Sequence, residues 1–180
     1  MVTAVVTKSG LALEFASPEL RDDDEIALIA VSKSGNALEF VSRNLKENRD
    51  VVIHAIKERG SALCFAQKDL QDNEEIVRMA VAQTSYALEY ASLNLKNNIG
   101  IVTTAVSHRG EALQFAHEDL QDVEQIVFPS VRQNGLALKF ASDGMKDTFW
   151  VVLAAVEKNG RALSMHLTSL RAIFILSWLH

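Results

Sequence analysis

The chain has 180 residues, 48% of them apolar and 23% charged, with a formal net charge of −5, which supports an ordered body and excludes the composition of a disordered segment. Acidic and basic residues are interleaved, so no basic stripe faces a phosphate backbone and nucleic acid is not an expected partner. Cys64 is the one cysteine; an internal disulfide is therefore excluded, no Cys/His cluster has metal-ligand spacing, no apolar run reaches a membrane span, and neither cofactor nor metal is expected.

The opening residues, Met1-Val2-Thr3-Ala4-Val5-Val6, lack the basic and long apolar stretches of a signal peptide, leaving the cytoplasm as the default location. They fall inside a helix whose acidic start is missing, so the first repeat reads as partial. Beyond them, Gly10, Gly35, Gly60, Gly110, Gly135 and Gly160 are separated by multiples of 25 residues, and Ser85 interrupts the series. A repeat of that length holds two short helices and cannot bury a core alone. The expected fold is all-α: an α-solenoid of about seven αα-hairpin repeats of 25 residues, forming a single domain over residues 1–171.

The stretch Asp22 to Lys46 serves as the reference repeat. Asp22 with Glu25, and again Asp72 with Glu75, predict the N-cap and third residue of a first helix. Ile26, Ala27, Ala30 and Val31 form its apolar stripe, echoed by Val51, Val52, Ala55, Ile56 and by Ile76, Val77, Ala80, Val81. Gly35 is expected to stop it as a left-handed C′ residue. A second helix follows, carrying Ala37, Leu38, Phe40, Val41 and Leu45, too short to be stable without packing between repeats.

A longer period lies beneath the first. Arg59-Gly60 recurs as Arg109-Gly110, and Gln67-Lys68-Asp69-Leu70-Gln71-Asp72 recurs as His117-Glu118-Asp119-Leu120-Gln121-Asp122, which suggests pairing into 50-residue repeats. The string ALxFASxxLxD followed by xEIVxxAVxxxG resembles a helical repeat family known as domain of unknown function 4116. The resemblance covers residues 1 to about 171 and implies a unit of about two hairpins; it carries no activity, substrate or catalytic residue.

Departures from the repeat come last. Pro129 in the middle of a first-type helix predicts a kink near Phe128, and Ser85-Tyr86 predicts a slightly strained cap. His54, His108, His117, His166 and His180 share no column, and Cys64 sits in a polar one, so exposure rather than catalysis is expected of them. GxSxG, HExxH and phosphate-binding glycine loops do not occur, and the chain reads as not an enzyme. Residues 172–180 form an apolar tail that reads as a crude cap, a self-association element or an irregular end. The functional expectation is a non-catalytic scaffold for an unknown protein partner, with a candidate ridge of Leu28, Ile53, Lys57, Arg78, Thr103, Phe128, Arg132 and Leu153. The alternatives are a regulatory part of a larger enzyme or effector, or a self-associating array.

Overall fold

The computed structural model describes residues 2–165. The readings placed on Met1, His166, His180 and the 172–180 tail lie outside the described residues. Two compact units are distinguished, Met1–Leu95 and Lys96–His180, and every described element is helical.

The first unit contains α1 (Val2–Lys8), α2 (Pro18–Arg21), α3 (Asp24–Lys33), α4 (Arg43–Glu47), α5 (Arg49–Glu58), α6 (Lys68–Gln71), α7 (Glu74–Gln83) and most of α8 (Leu93–Lys96). Its 3-10 segments are Gly10–Phe15, Gly35–Glu39, Gly60–Phe65 and Ser85–Tyr90. The second unit contains α9 (Ile99–His108), α10 (Glu118–Gln121), α11 (Glu124–Gln133), α12 (Asp143–Lys146) and α13 (Phe149–Lys158), with 3-10 segments Gly110–Phe115, Gly135–Phe140 and Gly160–Met165. The repeats from α3 to α12 thus each consist of a ten-residue helix, a 3-10 segment and a short α-helix, an all-α repeat fold.

The expected stripes form the core. In the first unit Ile76, Val77, Ala80 and Val81 are fully buried between neighbouring elements, as are Ala87 and Leu88 of the 3-10 segment. In the second, Ile101, Val102, Ala105 and Val106, with Ala112 and Leu113, are buried in the same way. Each long apolar side chain contributes roughly 1.5–3 kcal/mol on burial. Within the first unit α1 packs on α3, α3 on α5 and α5 on α7; within the second α9 packs on α11 and α11 on α13. A main-chain bond joins successive repeats: Ser42 N–H donates to Arg21 O (2.9 Å) and Gln67 N–H to Lys46 O (3.1 Å) in the first unit, His117 N–H to Lys96 O (2.9 Å) in the second.

That bond overturns the expected continuous second helix. The chain leaves the 3-10 segment through extended residues, such as Ala66 at φ −68°, ψ 153°, and restarts as a four- or five-residue α-helix. The carbonyls exposed at the break are satisfied from a single column. Arg21 Nε donates to Ala16 O, Lys46 Nζ to Glu39 O, and Gln71 Nε2 to Leu63 O and Ala66 O, while Gln121 does the same for Leu113 and Ala116.

The N-caps also shift by one residue. Asp23, Asn73 and Asn98 accept from the amides of Ile26, Ile76 and Ile101 at 2.9–3.1 Å. Asp22, Asp72 and Asp122 instead accept from the hydroxyls of Ser42, Ser92 and Ser142, which in turn cap the short helices. Those serines alternate with Gln67 and His117, so the 50-residue period is an alternation of polar ties.

Glycine has a different role from the one expected. No described residue has positive φ, so Gly35 is not a left-handed cap. It opens a 3-10 segment pressed against the next long helix, where a Cβ would lie 2.5 Å from Ala55 O; at Gly60 and Gly110 it would lie closer still to Ala80 O and Ser130 O. Close backbone approach is what demands glycine here. Ser85, which takes the glycine place in its repeat, is buried and likewise has no positive φ. Pro129 is held inside α11, which runs unbroken for ten residues like α7.

Candidate functional site

The outward face of the long helices is what the buried stripes leave over. In the first unit Leu28 and Ile53 are half-buried, while Lys57 and Arg78 are exposed. Leu28 borders an open cleft of about 430 Å³ with Thr7, Ile29, Ser32, Lys33 and His54. His54 Nδ1 lies 2.8 Å from Asp50 O, an i to i−4 bond along its own helix. Arg78 is tied down: its Nη2 lies 2.6 Å from Glu74 Oε1, and Arg49 Nη2 lies 2.6 Å from Glu75 Oε2 on the same helix turn.

In the second unit Thr103 and Arg132 are exposed and Phe128 is half-buried. Leu153, at 8% exposure, belongs to the edge of the core and offers the least surface of the eight ridge residues. Phe128 separates two clefts. One, of about 750 Å³, is lined by Val123, Glu124, Gln125, Phe128 and Pro129. The other, of about 430 Å³, is lined by Phe128, Arg132, Ala154, Glu157 and Lys158. The Arg132 guanidinium carbon sits 6.0 Å from the Phe128 ring centroid, within cation–π range.

The structure therefore brings Phe128 and Arg132 together, and groups Leu28 with His54. Glu124 and Gln125 were missed. Their signal was available in the 50-residue comparison, where Arg78 and Met79 become Phe128 and Pro129.

Other chemistry-bearing side chains lie away from these clefts. Cys64 is half-buried rather than freely exposed. Burial, with the nearby carboxylates of Glu39 and Glu89, pushes its thiol pKa up, the opposite of nucleophile activation. Burial beside Glu89 likewise raises the Tyr90 hydroxyl. His108 Nδ1 lies 2.9 Å from Thr104 O, and His117 Nδ1 lies 3.2 Å from Asp119 Oδ2. Among the described residues no three His, Cys, Asp or Glu side chains converge as a metal site, and no described helix is long and apolar enough to cross a membrane.

Comparison with known proteins gives one family. The family model described as Domain of unknown function (DUF4116) matches residues 1–46, 28–71, 48–96, 73–121 and 123–165. The matches that begin at 48 and 73 are offset by one hairpin, so the two-hairpin pattern fits in either phase. No curated protein and no solved structure matches the chain.

Proposed function

The chain belongs to the DUF4116 family, and we propose that it is a non-catalytic helical-repeat scaffold that binds a protein partner along the outward face of its long helices. One observation carries this reading: chemistry varies outside over a core that repeats inside. The column Leu28, Ile53, Arg78, Thr103, Phe128 runs through apolar, cationic, hydroxyl and aromatic side chains before it turns into the core edge at Leu153. Directly beneath, every copy from Ala27 to Val152 is a buried Ala or Val. Half-buried Leu28 and Phe128 border open clefts, the arrangement in which apolar anchors find pockets. Extended repeat surfaces of this type are suited to binding other chains.

The test is site-specific photo-crosslinking of the full chain in the cells that produce it. A photoreactive residue at Lys57 or Arg132 is expected to trap a discrete protein, whereas one at Lys68 or Glu118, on the short-helix edge, is not. Adducts of equal yield from both sets, or from neither, overturn the reading, and an adduct of the chain with itself replaces it with self-association.

A further inference from the structure

Deepening the reading of the outward face, and resting on it, we propose that the cleft lined by Val123, Glu124, Gln125, Phe128 and Pro129 takes an arginine side chain of the partner. The argument starts from α7. There the first turn carries two carboxylates, and the protein supplies a guanidinium to each: Arg78 to Glu74 and Arg49 to Glu75. Fifty residues on, α11 keeps the first carboxylate as Glu124, replaces the second by Gln125, and replaces both arginines by Phe128 and Ile99. Glu124 is exposed and has no ion-pair partner among the described residues. The next substitution in the same face is Met79 to Pro129, which removes the N–H that would bond the Gln125 carbonyl along the helix.

Three adjacent residues thus line one cleft: Glu124, a carboxylate without an ion-pair partner among the described residues; Gln125, whose carbonyl has lost the helical donor at position 129; and the half-buried ring of Phe128. A planar guanidinium answers all three. It pairs in a fork with a carboxylate, keeps donors over for a carbonyl, and stacks on an aromatic face. Arg132 reaches the same ring, its guanidinium carbon 6.0 Å from the Phe128 centroid, but it borders the neighbouring cleft with Glu157 and Lys158 and makes no ion pair with Glu124, so the carboxylate is left for an incoming cation. The charge balance agrees. The α7 turn is neutral with two carboxylates and two arginines, whereas the α11 turn is left with one uncompensated carboxylate, which one incoming cation neutralises.

The probe is a serine–glycine hexapeptide with one central arginine, titrated into the isotope-labelled full chain and followed by amide chemical shifts. Saturable shifts are expected over residues 124–132, at least about tenfold weaker for the citrulline peptide, which has the shape without the charge. Phe128→Arg, which rebuilds the pair found at Glu74, and Glu124→Gln are each expected to abolish the shifts while leaving the rest of the spectrum unchanged. Pro129→Met should weaken them by returning a donor to the carbonyl. Absence of saturable shifts, equal binding of the citrulline peptide, or persistence of the shifts in Phe128→Arg overturns the proposal. A null titration alongside intact crosslinks from Arg132 would defeat the arginine assignment while leaving the outward face as the partner surface.

Discussion

Helices α7 and α11 occupy the same place in the repeat, one in each compact unit, and were subjected to very different substitutions. α7 has an asparagine cap, an internal ion pair and no helix breaker. α11 begins after Val123, which provides no side-chain cap, and contains Pro129. Both are nonetheless ten residues long, with Ile76, Val77, Val81 in one and Ile126, Val127, Val131 in the other buried to the same degree. Even the substitution of Ala80 by Ser130 is absorbed, since its buried hydroxyl donates to Ile126 O at 2.6 Å. The stripe, not the helix's own propensity, holds the element, which leaves the outward face free to change.

The comparison breaks if the two stripes are not equivalent. Ile76→Ala and Ile126→Ala are each expected to cost ~2–5 kcal/mol in urea denaturation; a large loss in only one would show that the helices are held differently. Next in size is the close approach of the 3-10 segments. Gly60→Ala and Gly110→Ala should each destabilise by about 3 kcal/mol, the upper end of overpacking, because the neighbour is a main-chain oxygen that cannot rotate away. Replacing Pro129 by the Met of α7 is expected to stabilise by about 1–2 kcal/mol, less than the full proline penalty of ~3 kcal/mol in a free helix, because the buried stripe already fixes α11. The smallest effects are at the caps. Asn73→Ala should lose about 1 kcal/mol and Val123→Asn gain about the same, read from the denaturation midpoint at constant slope.

Much of this architecture could be read in the amino-acid order because burial imposes a strict period. Ile26, Ala27, Ala30 and Val31 have to lie on one face, and Leu38 has to lie under it. Where two physical reasons select the same residue type, the sequence was ambiguous. Glycine serves a left-handed cap or a close approach, and only the position of Ala55 O distinguishes the two at Gly35. Asp22, Asp23 and Asp24 can each cap a helix; Asp23 does so because Asp22 is engaged with Ser42, twenty residues later. One signal was present and went unused. Pro18 follows Ser17 at the first turn of α2, a residue suited to starting a helix and unsuited to the middle of one, and it marks the break between the 3-10 segment and the short helix of its own repeat. Of the candidate site, Phe128 and Arg132 were visible as variable positions. Glu124 was not, because its interest lies in an arginine that α7 has and α11 lacks.

The most direct test moves one face onto the other helix. Gln125→Glu, Phe128→Arg, Pro129→Met and Arg132→Ala together give α11 the outward residues of α7 over its own stripe. The account predicts cooperative unfolding with a midpoint at least as high as before, together with loss of the protein adduct trapped from the second unit's face, read with a photoreactive residue at Glu157. Collapse of the fold, or an adduct of undiminished yield, would contradict it.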